Sequence, residues 1–214
     1  MQDSFKHQGL RRKLIEHIRV KNIASSSVLE AMMKVPRHLF IDGAFLEKSY
    51  EDYAFPIGEG QTISQPSTVA IQTTLLKLKE GDKILEIGTG SGYQTSILCQ
   101  FNVKIYSIER QRVLFQRTKK LLRNLGCKAQ CFYGDGYKGL PQFAPFDKII
   151  ITCGAPEIPK ALVDQLKVGG RMIIPVGGDG IQEMQVISKD ESGTVSIEQH
   201  GKFSFVPMLN DKSR

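Results

Sequence analysis

Three glycines at alternate positions, Gly88, Gly90 and Gly92, are the residues of this chain best spaced for chemistry. They follow an apolar run, Lys83-Ile84-Leu85-Glu86-Ile87, and precede Gln94-Thr95-Ser96-Ile97-Leu98-Cys99, which can open a helix. A strand, a glycine turn and a helix N-terminus make a cofactor cradle, because glycine lets the backbone approach a ligand and the helix end offers unpaired N–H groups. The spacing G-x-G-x-G departs from the dinucleotide fingerprint, and no Gly-Lys-Ser/Thr ending marks a P-loop. Two carboxylates frame the turn. Glu86 stands just before it, and Glu109 lies 21 residues after Gly88. Glu109 closes a second predicted strand, Lys104-Ile105-Tyr106-Ser107-Ile108, where an acid can hold both hydroxyls of a ribose. Asp135, in Gly134-Asp135-Gly136 after a third strand, could accept from an adenine amino group; an Asp-Gly turn is the competing reading.

These groups need a scaffold that gathers strand ends. Leu10, Leu14, Ile15 and Ile18 mark one side of an amphipathic helix from about Phe5 to Val20, and Ser25-Ser26-Ser27 offers caps for a second helix that stops before Pro36. Residues 35–41 read as a turn and a short hydrophobic anchor. Residues 53–66 read as a long irregular loop holding Pro56, Gly58, Gly60 and Pro66, the kind of segment that often carries function. Ser67 reads as the cap of the next helix. Further strands are predicted over 129–133, 146–152 and 171–175, with a basic helix after Glu109 and another over 160–166. A hairpin over 184–188 and 195–199 turns at Asp190-Glu191-Ser192-Gly193. Five strands alternating with helices predict an α/β fold, a doubly wound and mostly parallel sheet with N-terminal helices and a C-terminal antiparallel hairpin. A single domain over 1–214 is expected, with N-terminal helices and substrate loop in 1–80 and the cofactor-binding core in 81–214.

Composition narrows the function. The chain has 214 residues and a net charge of +7, and the charge invites a nucleic-acid partner. Much of it lies on Arg11, Arg12, Lys13, Arg19 and Lys21, and on the helix carrying Arg110, Arg112, Arg117, Lys119, Lys120 and Arg123. There Val113, Leu114, Leu121, Leu122 and Leu125 keep an apolar stripe, so a solvated outer face accounts for the charges, and no aromatic RNA motif accompanies them. No apolar run reaches the ~20 residues of a membrane span, and no secretory signal is visible, so a cytoplasmic location is expected. Cys99, Cys127, Cys131 and Cys153 form no C-x-x-C pair and the four histidines are scattered; no metal site is expected, and the cysteines read as reduced, mostly buried thiols.

The strand–turn–helix–strand arrangement with its two acids resembles that of the S-adenosylmethionine-dependent methyltransferases, Rossmann-like in fold. Several separated stretches then resemble one family, protein-L-isoaspartate (D-aspartate) O-methyltransferase. They are Val35-Pro36-Arg37-His38-Leu39-Phe40, residues 56–66 ending Gly60-Gln61-Thr62-Ile63-Ser64-Gln65-Pro66, and residues 86–93, 106–110, 134–137, 155–159, 169–171 and 205–208. The loop ending at Pro66 is the specific one; Cys153-Gly154 departs slightly, standing where bacterial members more often have two alanines. The resemblance implies methyl transfer from S-adenosylmethionine to the α-carboxylate of L-isoaspartyl residues in damaged proteins and peptides. The ester then collapses to a succinimide, part of which opens to normal aspartate. The family name extends the substrate to D-aspartyl residues, a choice the residues themselves leave open.

The residue chemistry agrees. A main-chain carboxylate titrates near ~3.5, is already an anion at neutral pH, and needs no general base; no Ser/His/Asp or Cys/His constellation is present. Ser64 and Thr62 are the expected catalytic residues, orienting the carboxylate by hydrogen bonds, with Ser64 the stronger candidate and a turn role its alternative. Glu86, Gly88, Thr89, Gly90, Ser91, Gly92, Glu109, Asp135 and Gly136 are expected to hold the cofactor, and Ile63, Ser64, Pro175 and Val176 the substrate. A monomer is the default. A nucleic-acid methyltransferase would want an Asn/Asp-Pro-Pro-Tyr/Phe motif or a Pro-Cys pair, and neither occurs. A small-molecule methyltransferase gives no reason for the 61–66 loop, and an inactive binding module would not need every cofactor residue.

Overall fold

The computed structural model describes residues 3–178 and 180–213. Helix α1 (Phe5–Val20) begins at Ser4, whose hydroxyl accepts the His7 N–H at 3.3 Å, and buries Leu14, Ile15 and Ile18 on one side. Helix α2 (Ser26–Lys34) starts behind Ser25 and buries Val28, Leu29 and Met32. A 3-10 turn over Arg37–Phe40 follows. Its anchor is less apolar than the sequence suggests, because Arg37 and His38 are both fully buried alongside Phe40. Arg37 Nε donates to the Ser49 carbonyl at 3.0 Å and Nη2 to that of Tyr53 at 3.1 Å, while the guanidinium lies 4.9 Å from the Tyr93 ring centroid. A charge taken out of water requires such partners.

The expected irregular loop is folded. Strands β1 (Phe55–Gly58) and β2 (Gln61–Ile63) pair antiparallel as a hairpin. The tip residues Glu59 and Gly60 both take positive φ, +53° and +66°, as a two-residue hairpin turn of the primed type requires. Glu59 is an unusual residue there, which is why the strands were hidden. Helix α3 (Pro66–Leu76) starts with Pro66 in its first turn. Ser67 is inside the helix and does not cap it. Asp52 does, accepting the Ser67 N–H at 2.8 Å on Oδ1 and the Ser67 hydroxyl at 2.6 Å on Oδ2. Lys21 Nζ reaches the same Oδ2 at 3.0 Å and His17 Nε2 lies 3.7 Å from it, so the start of α3 is tied to the end of α1.

The core alternates β3 (Lys83–Ile87), α4 (Tyr93–Leu98), β4 (Lys104–Glu109), α5 (Arg112–Asn124), β5 (Gln130–Tyr133), β6 (Phe146–Ile151), α6 (Lys160–Gln165), β7 (Leu166–Val176), β8 (Gln182–Lys189) and β9 (Val195–Phe203). Sheet order is β5-β4-β3-β6-β7-β8-β9. The first five strands run parallel, and β8 and β9 return antiparallel as expected. Strand β7 starts earlier than predicted, with Leu166 opposite Phe146. Leu85, Ile87, Ile149, Ile151, Met172 and Ile174 fill one side of the sheet, while Ile84, Ile105, Ile150, Ile173 and Val186 fill the other. This two-sided burial accounts for the near-continuous apolar runs. The N-terminal helices share a third cluster with Tyr93, Ile97 and Leu114, so they rest on α4 and α5.

Two of the cysteines depart from the expected reduced state. Cys99 and Cys127 form a disulfide across Cα atoms 5.9 Å apart, while Cys131 and Cys153 are free. The turn ending α5 makes the pairing, with Gly126 at φ +71° and the Cys127 N–H bonded to the Leu122 carbonyl at 3.0 Å. That turn returns the chain to the end of α4. Among the described residues no helix is long and apolar enough to cross a membrane.

Candidate active site

Strand order reverses at β3, whose neighbours β4 and β6 lead away on opposite sides. Ile87 pairs with Ile108 and with Ile151, so three strands end level with one another, and a crevice opens beyond them. A cavity with a mouth open to solvent occupies that crevice. Gly88, Thr89, Gly90 and Ser91 form its floor, Glu109 and Arg110 one side, Gly136 another, and Gln61, Thr62, Ile63 and Ser64 the hairpin side.

The floor is built by glycine geometry. Gly88 and Gly90 have φ of +93° and +52°. A Cβ on Gly88 would lie 2.5 Å from Thr152 Oγ1, and one on Gly136 would lie 2.5 Å from Ile87 Cγ2. The Gly88 and Thr89 N–H groups donate to the Ile108 carbonyl at 2.9 and 3.1 Å, stitching the turn to β4. Gly92 belongs elsewhere. Its φ of +88° starts α4, and a Cβ there would meet Thr118 Cγ2 at 2.7 Å, so it is a packing glycine outside the cavity wall.

Glu109 lies in the wall at 4% exposure. Its Oε2 accepts the Gly90 N–H and its Oε1 the Gln111 N–H, both at 2.8 Å. Each oxygen keeps a second lone pair, so the carboxylate can bind two hydroxyls while bracing the turn. Burial raises its pKa against the backbone bonds that lower it. Glu86 does not reach the cavity. It lies beneath the floor at 0% exposure, its Oε2 accepting from Thr95 Oγ1 at 2.6 Å and Ser107 Oγ at 2.7 Å. Thr89 Oγ1 meets Ser107 Oγ at 2.6 Å, which connects Glu86 to the floor through one hydroxyl. Burial pushes Glu86 up to about 7, opposed by the two hydroxyls. Asp135 stands beside the cavity and shows the turn reading, its Oδ1 capping the Tyr137 N–H at 2.9 Å while Gly136 takes the place in the wall.

A second cleft abuts the first. It runs from Tyr53 and Ala54 past Ser64, Gln65 and Ser67 to Lys202, Phe203 and Phe205. Thr62, Ser64, Thr152 and Val206 line both spaces. The expected catalytic pair therefore sits where the two meet. Ile63 is buried and turned to the first cavity. Pro175 and Val176 lie in neither wall. They pair within the sheet, Pro175 giving its carbonyl to the Ala155 N–H at 2.9 Å and Val176 bridging Ala155. Tyr53 and the 202–206 segment line the second cleft, and Pro175 and Val176 do not.

Sequence reasoning also missed the wall made by Val206, Pro207, Met208 and Leu209. Gly154 and this segment exchange backbone bonds, Gly154 N–H to Val206 O at 2.8 Å and Met208 N–H to Gly154 O at 2.7 Å. Its resemblance to a family stretch was the one available signal. Cys153, also in the wall, is no nucleophile, since burial pushes its thiol up to about 12. A glycine floor, a ribose-competent acid and hydroxyls at a junction of two spaces fit a nucleoside-bearing donor, and leave room for a second reactant.

The comparisons with known proteins agree with this geometry. Residues 9–213 match the family described as Protein-L-isoaspartate(D-aspartate) O-methyltransferase (PCMT). A Protein-L-isoaspartate O-methyltransferase of Flavobacterium psychrophilum is 55% identical over 216 residues, covering 100% of both chains. A solved protein-L-isoaspartate O-methyltransferase superposes with a TM-score of 0.84 at 28% identity, over 94% of this chain and 66% of that one. A Plasmodium falciparum structure described as a beta-aspartate methyltransferase in complex with S-adenosyl-L-homocysteine has the same fold, with a TM-score of 0.82 at 24% identity over 95% of this chain and 98% of that one. The chain belongs to the protein-L-isoaspartate (D-aspartate) O-methyltransferase family.

Proposed function

We propose that the two spaces divide the family's reaction between them, the glycine-floored cavity taking the methyl donor and the adjoining cleft taking the damaged peptide. The activity itself is that of the family, S-adenosylmethionine-dependent methylation of isoaspartyl residues in protein repair. The observation that carries the division is that Thr62 and Ser64 line both walls.

S-adenosylmethionine supplies an electrophilic methyl group on a positively charged sulfur. In our reading Gly88, Thr89, Gly90 and Ser91 hold its methionine part, Glu109 its ribose and Gly136 its adenine side. Asp135 supports that side by fixing the turn, and Glu86 supports the floor from below. The substrate carboxylate is an anion at neutral pH, so no residue has to take a proton from it. Ser64 and Thr62 orient it with their hydroxyls, Ile63 shields the junction from water, and the rigid floor fixes the line of approach. No thiolate competes, given the raised Cys153. A monomer is kept as the working unit of this reading, and no nucleic-acid partner enters it.

The experiment is methyl transfer from labelled S-adenosylmethionine to two peptides that differ only in isoaspartyl or normal aspartyl linkage. Labelling of the isoaspartyl peptide alone is expected. Equal labelling of both, or of neither, refutes the substrate reading. A D-aspartyl peptide in a third arm decides whether that residue is also accepted.

A further inference from the structure

Of the four residues shared by the two walls, Thr62 and Ser64 come from the hairpin and the turn after it, whereas Thr152 follows β6. Nothing in the functional reading so far gives Thr152 a task. Its hydroxyl has one proton, and two backbone carbonyls compete for it: Gly88 at 2.7 Å and Ile87 at 3.0 Å. What Oγ1 has left is acceptor capacity alone. The oxygen also reaches the cavity floor, since a Cβ on Gly88 would lie only 2.5 Å from it. The Ser64 hydroxyl, by contrast, has no hydrogen-bond partner among the described residues and is free to donate. The junction thus has a donor on the hairpin side and an acceptor-only oxygen on the β6 side.

We infer that Thr152 is a donor-recognition residue, its oxygen selecting the charged methylsulfonium and so favouring S-adenosylmethionine over its demethylated product S-adenosylhomocysteine. The two ligands differ only by a methyl group and the positive charge it brings. An oxygen whose proton is already committed attracts a cationic sulfur and its methyl hydrogens, and gains nothing from a neutral thioether. Set in the cavity wall, the oxygen acts on a neighbouring sulfur with less screening than bulk water would give. The inference rests on the donor assignment made above. The competing role, a tie between β6 and the Gly88 turn, would support both ligands equally.

The test is calorimetric titration of the purified protein with each ligand separately, in the absence of any peptide. Thr152→Val removes the oxygen and keeps the branching, and is expected to lower the preference for S-adenosylmethionine over S-adenosylhomocysteine threefold to tenfold, chiefly by weakening the former. Thr152→Ser keeps the oxygen and should retain the native ratio within twofold. Thr152→Ala, smaller than the native residue, carries the valine expectation if the extra methyl crowds Gly88. Equal weakening of both ligands, or no change in either, overturns the inference. A wild-type protein that binds both ligands but leaves isoaspartyl peptide unmethylated would sink the substrate reading and leave this ratio standing.

Discussion

Replacing Glu86 by glutamine should make the protein's stability less dependent on pH. Glu86 is wholly buried under the glycine floor and its pKa is pushed up to about 7, burial being the main cause. In the unfolded chain the same group titrates near 4.5. The folded protein therefore binds the proton more tightly, so the associated stability is complete below the unfolded value and is lost as pH rises through about 7. The whole shift corresponds to roughly 3 kcal/mol at 1.36 kcal/mol per unit, and about 2 kcal/mol of it disappears between pH 5.5 and 8.5. For a chain of this size that is a fall of about 4–8 °C in Tm. In Glu86→Gln the carbonyl can still accept from Thr95 and Ser107, while the amide nitrogen takes the place of Oε1, which has no hydrogen-bond partner among the described residues. That nitrogen adds a cost that does not vary with pH, so the quantity to read is the change in Tm between the two pH values, wild type against variant. Glu109, also raised mainly by burial, contributes with the same sign in both proteins. Parallel Tm–pH curves for wild type and variant over pH 5.5–8.5 would refute the reasoning.

Four further outcomes are expected. Glu109→Ala should raise the Kd for S-adenosylmethionine at least tenfold, about 1.4 kcal/mol, by calorimetry; an unchanged Kd removes it from the ribose. Ser64→Ala should lower kcat ~10- to 100-fold, the worth of a hydrogen bond to a charged group, with cofactor Kd nearly intact; loss of folding would instead mark a turn serine. Asp52→Ala removes the cap of α3 and should cost about 1–2 kcal/mol in denaturant unfolding and raise KM for the peptide more than Kd for the cofactor. Burial opposes ionisation of Asp52, but bonds from Ser67 and Lys21 hold its carboxyl below the usual carboxylate range. Its share of stability should therefore be lost as pH falls into the acid range, the opposite sign to Glu86. Reducing the Cys99–Cys127 bridge, which closes a segment of 28 residues, should lower stability by about 3–4 kcal/mol on the chain-entropy account, and a thiol count on the denatured chain should rise from two to four.

Much of the site was legible because it is local. Strand, glycine turn and helix follow one another between Lys83 and Leu98, and their chemistry is written in residue type. Glu109 was legible because a parallel neighbour strand of predictable length had to end level with Ile87. Glu86 was misread for the same locality: adjacent to the turn in sequence, it alternates to the inner side of β3, where the Thr95 and Ser107 hydroxyls reach it. Pro175 and Val176 fell outside because β8 pairs along their strand and covers that stretch. The hairpin was hidden by Glu59, a residue type that rarely accepts positive φ. The Cys99–Cys127 pair and the 206–209 wall depend on tertiary return of the chain, and no spacing rule signals either.

The late segment has a consequence for the order in which the protein becomes competent. Synthesis delivers the glycine floor, both acids and the hydroxyls well before residues 206–209 emerge, yet those four residues line the same cavity, and Val206 and Met208 are bonded back to Gly154. A nascent chain that stalls after β6 would carry the full recognisable motif and still lack a wall. On the donor assignment proposed above, capture of S-adenosylmethionine therefore waits until residue 209 has been made and folded back against Gly154.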